Sequence, residues 1–334
     1  MKENKVIVIA EAGVNHNGSL RLAKKIIDKA AYAKADYIKF QYFNPNKITT
    51  KWSKTANYQK KNCKIDNQHK LLSKLSLSIK QLKLLEDYSK KKKIKFMLSI
   101  FDDEDVNKLK LFKIDFIKIP SGEINNFVLL RKISNLKKKI ILSTGGSTTK
   151  EIKEAVIFLQ KNRFKKNKLS LLHCVINYPS SLRSMNLKSI LYLKNLFKCA
   201  VGLSDHSLGD IISIAAVAIG AVIIEKHITL SKNMKGPDHK SSLEPKEFKL
   251  MVQKIRNVEF SLGKERKIVQ EEEKKNIALI RKSIVAKNVI LKGEKFTEDN
   301  ICLKRPGTGL SSKFWKKIIG KKAKKIFMED ELII

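Results

Sequence analysis

Two histidines, two carboxylates, two lysines and a set of serines stand where short apolar runs of this 334-residue chain give way to polar sequence. Eight such runs are present, at 6–10, 37–40, 95–98, 116–119, 140–142, 169–172, 200–203 and 221–224. They end in order on Glu11, Gln41, Ser99, Ser121 with Glu123, Ser143 with Thr144, His173, Ser204 with His206, and Glu225 with His227. His206 and His227 close consecutive runs, so neighbouring strands would set the two imidazoles side by side. An ion held by only two protein ligands keeps open positions for water and substrate, and imidazole suits a transition metal. Lys39 and Lys118 lie inside Tyr-Ile-Lys-Phe-Gln and Phe-Ile-Lys-Ile-Pro. A buried lysine is costly unless it meets an anion. With Ser99, Ser121, Ser143 and Ser204, these lysines suit a pocket for a phosphate and a carboxylate. Glu11 and Glu123 are candidate general acid–base groups, since a partly desolvated carboxylate has its pKa raised toward working pH. The sequence does not separate their roles.

Such residues need a frame that brings eight strand ends together. A parallel strand buried on both faces reads as an apolar run, and the catalytic groups of a (β/α)8 barrel sit at the C-terminal ends of its strands. The expected fold is therefore α/β, a (β/α)8 TIM barrel over 1–263. Most run-to-run intervals fit one βα unit, but the interval from 41 to 99 is too long and marks an insertion after the second strand. Residues 42–70 fill it with a polar, weakly periodic stretch that includes Pro45, Trp52, Tyr58, Gln59 and His69. It reads equally as a substrate lid or as irregular padding. Leu77-Ser78 opens a helix through Tyr88, and Asn15-His16-Asn17-Gly18 reads as a turn capped by Asn17 or Ser19. Leu262-Gly263-Lys264 closes the last barrel helix. Residues 264–282 are expected to be a linker, with the charged run 264–275 a linker or exposed helix. Residues 283–334 form a small mostly-β domain with one helical patch at 315–319.

Bulk properties narrow the function. The formal net charge is +38, which invites a nucleic-acid reading. Yet only eight of the 70 basic residues are arginine, the better reader of bases and phosphates. The lysines are spread over nearly every predicted helix without aromatic interleaving, so a solvated surface with no specific nucleic-acid partner is expected. The longest apolar stretch, 211–224, is too short to cross a bilayer. The N-terminal run stops at Glu11, short of a signal-peptide core. A cytoplasmic protein with no membrane partner is expected. Cys63, Cys174, Cys199 and Cys302 form no C-x-x-C pair and read as free thiols.

At these residues the chain resembles the sialic acid synthase family. The matching stretches are Ile-Ala-Glu-Ala-Gly-Val-Asn-His-Asn-Gly (9–18), Ile-Lys-Phe-Gln (38–41), Ile-Lys-Ile-Pro-Ser-Gly-Glu (117–123) and Leu-Ser-Thr-Gly-Gly (142–146). Further matches are Gly-Leu-Ser-Asp-His-Ser (202–207), Glu-Lys-His (225–227) and Gly-Pro-Asp-His-Lys (236–240). Lys-Arg-Pro-Gly-Thr-Gly (304–309) resembles that family's antifreeze-like (SAF) domain. The resemblance implies a transferase that condenses phosphoenolpyruvate with an N-acylated amino sugar. It implies that His206 and His227 hold a divalent ion, manganese or magnesium. Lys39, Ser99, Lys118, Ser121, Ser143 and Ser204 match its phosphoenolpyruvate pocket, while Gln41, Glu123, Tyr178, Asp238 and Arg305 match its sugar contacts. It also implies a domain-swapped homodimer, each SAF domain closing the other's site. One position departs: Ile176 stands where the family commonly has a small polar residue, with Asn177 beside it. N-acetylmannosamine, giving N-acetylneuraminic acid, is the first acceptor expected. The alternative is N,N'-diacetyllegionaminate synthesis from 2,4-diacetamido-2,4,6-trideoxymannose, since Tyr58-Gln59-Lys60-Lys61-Asn62 looks like either branch. A non-enzymatic glycan- or nucleic-acid-binding protein would leave the ordered strand-end residues unexplained.

Overall fold

The computed structural model describes residues 5–334. Eight parallel strands close into a barrel in chain order: β1 (Ile7–Gly13), β2 (Tyr37–Tyr42), β3 (Lys95–Ile100), β4 (Phe116–Ile119), β5 (Lys139–Ser143), β6 (Leu169–Cys174), β7 (Ala200–Asp205) and β8 (Ile223–His227). The expected (β/α)8 architecture is observed. Most strands run past the apolar stretches that marked them, so the polar exits Glu11, Gln41, Ser99, Ser143, His173, Ser204, Glu225 and His227 lie within the last three residues of their strands rather than in loops. The reason lies in the two-residue period of a strand. Ile9, Tyr37, Met97, Phe116, Ile141, Leu172 and Ile223 pack together as a separate apolar cluster. Two residues further along stand Glu11, Lys39, Ser99, Lys118, Ser143, Cys174 and Glu225, which the same period turns to the same face. The pore therefore has an apolar floor and a polar layer above it. β7 contributes Gly202 to the floor, where a Cβ would meet the Ile223 carbonyl oxygen at 2.2 Å and Leu172 Cδ2 at 2.8 Å.

The opposite strand faces, with Val8, Ala10, Ile38, Phe40, Leu98, Ile117, Leu142 and Leu203, pack on the surrounding helices as the main core. Those helices include α1 (Leu20–Tyr32), α5 (Ile79–Lys91), α6 (Phe127–Ser134), α7 (Thr149–Lys161), α8 (Lys188–Phe197), α9 (Ile211–Ala218) and α10 (Pro245–Leu262). Between β3 and β4 only a 3-10 turn, Val106–Leu111, is found. Ser19 caps α1, accepting from the Leu22 amide. Ser78 with Gln81 and Thr148 with Glu151 form capping boxes on α5 and α7, which satisfy orphan amides at each helix start. One charged pair interrupts the helix-facing core: fully buried Lys226 lies 2.9 Å from Asp205, which also accepts from Ser207 and Ser213.

The insertion is ordered as three helices, α2 (Pro45–Ile48), α3 (Asn57–Cys63) and α4 (Gln68–Leu75), which removes the reading of irregular padding. Leu71 and Leu75 of α4 pack with Val14 and Phe43 in a small core of their own. Gly18, at φ +73°, lies under the C-terminal turn of α4, where a Cβ would meet the Lys74 carbonyl oxygen at 2.3 Å.

The chain divides into two compact units, the first ending at Gly263 and the second beginning at Lys264. The stretch expected as a linker, 264–282, carries α11 (Glu271–Ile280) within the second unit. There Ala278 accepts from the Gly307 amide at 2.6 Å. The second unit also contains the antiparallel pair β9 (Ser283–Ala286) and β10 (Ile301–Lys304) and the short helix α12 (Trp315–Ile318). Ile284, Ile290, Phe296, Ile301 and Phe327 form its core. No helix among the described residues is long and apolar enough to cross a membrane.

Candidate active site

Two buried lysines and two buried glutamates fill the polar layer of the pore. Lys39 Nζ lies 3.1 Å from Glu11 Oε2 and 3.2 Å from Glu225 Oε2. Lys118 Nζ lies 3.4 Å from Glu225 Oε1, which accepts from Ser204 Oγ at 2.9 Å. Gln41 Nε2 donates to Glu11 Oε1 at 3.1 Å. Glu225 thus joins both ammonium groups and one hydroxyl, although sequence reasoning gave it no role. The available signal was its position two residues before His227 on the same strand face.

The environments of the two glutamates drive their proton affinities apart. Burial raises the pKa of Glu11, aided by the nearby Glu225 charge and only partly opposed by Lys39. Burial acts the same way on Glu225, but Lys118 and Lys39 outweigh it and hold that carboxyl far below the usual range. Burial would lower the Lys39 pKa, yet Glu11 and Glu225 reverse the shift and raise it. In Lys118 burial prevails over Glu225, and the pKa falls. Ser143 Oγ is buried and has no hydrogen-bond partner among the described residues. Among the described residues, Ser99 Oγ reaches only the Phe40 carbonyl, at 3.5 Å. Ser121 Oγ accepts from the Gly145 amide at 3.0 Å and lies 3.1 Å from Cys174 Sγ. A layer with two ammonium groups and under-used hydroxyls is built to receive an anion.

The histidines sit beside this layer. His206 Nδ1 donates to the Val175 carbonyl at 2.6 Å, a bond that fixes the tautomer and leaves the Nε2 lone pair free; Nε2 lies 3.3 Å from Ser204 Oγ. The His206 and His227 rings are 5.6 Å apart at 70°. His227 Nδ1 is buried without a hydrogen-bond partner among the described residues, 3.9 Å from Asp238 Oδ2. Burial lowers the His206 pKa to about 4 and that of His227 well below its usual value, so both rings are neutral and ready to ligate. Among the described residues no three His, Cys, Asp or Glu side chains converge on one metal position. The donor set fits a divalent ion held by two imidazoles whose remaining positions go to water and substrate.

Tyr178, which precedes a cis bond to Pro179, forms the wall above the histidines. Its ring stacks on His206 at 4.0 Å and on Tyr58 of α3 at 5.1 Å. Asn62 Nδ2 donates to the Pro237 carbonyl at 2.8 Å, tying α3 to the loop that carries Asp238. Burial raises the Asp238 pKa to about 7, with a further push from Glu11. Asn15 braces the same loop by donating to the Ile228 carbonyl at 2.9 Å and to Ser242 Oγ at 2.8 Å. The motif Asn-His-Asn-Gly therefore does more than turn the chain.

Glu123, Ile176 and Arg305, also singled out by the sequence, have other surroundings. Glu123 is half-buried in a 3-10 turn and accepts from Asn126 Nδ2 at 2.8 Å; none of its hydrogen bonds reaches the Lys39–Glu225 network. Ile176 is exposed and lies over the Thr144–Gly146 turn, its Cγ2 2.8 Å from where a Gly145 Cβ would be. Arg305 belongs to the second unit, where it is exposed and its Nε donates to the Ile280 carbonyl at 3.0 Å.

Comparison with known proteins places this geometry among relatives. Residues 26–267 match the NeuB family and residues 281–333 match the SAF domain. The chain is 48% identical to an N,N'-diacetyllegionaminic acid synthase of Campylobacter jejuni, covering 98% of this chain and 99% of the relative. It is 38% identical to a pseudaminic acid synthase of the same species, over 97% of this chain and 94% of that one. Among solved structures, N-acetylneuraminic acid synthetase from Leptospira borgpetersenii, in complex with citrate, superposes with a TM-score of 0.73 at 36% identity. That match covers 82% of this chain and 90% of that chain.

Proposed function

The chain belongs to the NeuB family and carries a SAF domain, and from that premise we propose that it condenses phosphoenolpyruvate with an N-acyl amino sugar to give a nonulosonic acid and phosphate. The observation that carries this reading is the pair of buried lysines bridged by Glu225 beside two neutral, adjacent histidines. Lys39 and Lys118, with Ser99, Ser121 and Ser143, would hold the phosphate and carboxylate of phosphoenolpyruvate through charge-assisted hydrogen bonds. A divalent ion, manganese or magnesium, held by His206 and His227 would supply Lewis acidity toward the sugar carbonyl.

The reaction joins the terminal carbon of phosphoenolpyruvate to the carbonyl carbon of the open-chain sugar. The electron pair of the enol double bond forms the new bond, and positive charge develops on the phosphate-bearing carbon. Water adds there, and phosphate departs with the bridging oxygen by C–O cleavage. Protons must move at the new hydroxyl and at the water. Glu11, with its raised pKa and its contacts to Lys39 and Gln41, is the group suited to carry one. Glu225 stays ionised and orients the lysines. Two carboxylates in one site thus take different roles because their surroundings differ. Gln41, Glu123, Tyr178 and Asp238 are assigned to the sugar.

The acceptor we favour is 2,4-diacetamido-2,4,6-trideoxymannose, which the sequence reading put second. The end-to-end 48% identity to a legionaminic acid synthase supports it. N-acetylmannosamine is the second reading, favoured by the likeness to the Leptospira N-acetylneuraminic acid synthetase. A cytoplasmic homodimer in which each Arg305 serves the neighbouring barrel completes the proposal. Phosphate release is measured with phosphoenolpyruvate, manganese and each of the two sugars. The proposal expects release with both and a higher kcat/KM for the diacetamido sugar; no release with either would refute it.

A further inference from the structure

Helix α3 is held over the site from three sides. A bridge between Lys54 and Asn67 and a bond from Thr55 Oγ1 to the Ile65 carbonyl at 2.6 Å close the segment around it. Asn62 fastens it to Pro237, next to Asp238. Its Tyr58 stacks on Tyr178, which stacks on His206, so the three rings run from the insertion to the histidine pair with successive centroids 5.1 and 4.0 Å apart. Gln59 follows Tyr58 on the same helix and is only half-buried. Gln59 Oε1 is nevertheless buried with no hydrogen-bond partner among the described residues, and the same holds for Asp238 Oδ1. Gln59 adjoins Tyr58 in the chain, and Asp238 follows the Pro237 carbonyl that holds α3 through Asn62. Native proteins seldom leave a buried acceptor unpaired, and two beside one aromatic wall mark a place for donors on a ligand.

We propose that Gln59 binds the acceptor sugar, its Oε1 accepting a hydrogen bond from an N–H or O–H on the distal carbons, on the side of α3 tied to the Asp238 loop. This rests on the condensing reaction proposed above. A sugar whose carbonyl end faces His206 and His227 presents its distal carbons along the ring stack to α3. There a 4-acetamido N–H or a 4-hydroxyl would meet the unpaired oxygen. Phosphoenolpyruvate, held by Lys39 and Lys118 in the pore, makes no contact of this kind.

The test measures steady-state KM for 2,4-diacetamido-2,4,6-trideoxymannose and, separately, for phosphoenolpyruvate in wild type, Gln59→Leu and Gln59→Ala. Removing a buried acceptor from a substrate N–H or O–H is expected to raise the sugar KM by roughly 5- to 150-fold. The phosphoenolpyruvate KM should stay at the wild-type value. Gln59 is half-buried on a peripheral helix, so unfolding midpoints of both variants should match wild type. An unchanged sugar KM overturns the assignment, as does a parallel rise in both KM values, which marks a merely structural role for the insertion. A wild type inactive with both this sugar and N-acetylmannosamine refutes the condensing reading and this inference with it, whereas an active wild type matched by both variants refutes the Gln59 assignment alone.

Discussion

Replacing Glu225 by glutamine removes the one anion that touches both pore lysines. At 3.2 and 3.4 Å and an effective dielectric of about 20, each contact carries about 5 kcal/mol of gross attraction. Most of that attraction offsets the desolvation of three buried charges. The net cost expected when one partner is removed and buried cations are left under-compensated is about 3–5 kcal/mol. For a unit of this size, that lowers the unfolding midpoint by roughly 5–10 °C. Two signatures separate this cause from a general packing defect. Inorganic phosphate should stabilise Glu225→Gln more than wild type, because the variant's lysines lack their internal anion. The cycle with Lys118→Met should show a coupling of about 1–3 kcal/mol, since the lysine costs less once its partner is gone. Calorimetry of the four proteins with and without phosphate reads both effects. Additive losses in the cycle, together with equal stabilisation of wild type and variant by phosphate, would refute the reasoning.

Other perturbations follow from the same geometry. Chelator-treated protein should lose turnover and regain it with manganese, and His206→Ala or His227→Ala should lower kcat by orders of magnitude; full activity in chelator contradicts the two-histidine metal position. Burial holds His16 and His206 at about 4 in the folded metal-free protein, below the unfolded value near 6.5. The unfolded state therefore binds more protons between those values, and stability falls as pH drops from 6.5 to 4, by up to about 3 kcal/mol for each ring. A denaturation midpoint flat across that window would show that the rings are not desolvated. Mixing Arg305→Ala with Lys118→Ala protein under subunit exchange should restore activity that neither has alone, because one site in the mixed dimer is then intact; proven exchange without recovery removes the trans role of Arg305.

The barrel was legible because its signal is local and repeated: an apolar stretch closing on a polar residue survives in sequence whatever surrounds it. Lys39 and Lys118 were legible too, because each interrupts an otherwise apolar stretch where a buried lysine needs an anion. Glu225 was harder, because its importance lies in partners on three other strands. Lys226 and Asp205 look like neighbours of the histidines in sequence, yet the alternation of the strand turns them to the helix side. The insertion was the least legible part. Its value comes from contacts such as Asn62 to Pro237, 175 residues apart, and from Tyr58 on Tyr178, which no local pattern encodes. The charged run 264–275 reads as a linker or an exposed helix, and the place of Glu271–Ile280 in the second unit depends on bonds to residues 305 and 307.

The central claim is that the pore joins phosphoenolpyruvate to an amino sugar by breaking the C–O bond of the phosphate ester. Phosphoenolpyruvate labelled with heavy oxygen at the bridging position tests it in one assay with manganese and 2,4-diacetamido-2,4,6-trideoxymannose. The account predicts that released phosphate carries the label and that none forms when the sugar is omitted. Unlabelled phosphate would show that the ester breaks at phosphorus, and equal release without sugar would show hydrolysis without condensation; either contradicts the account.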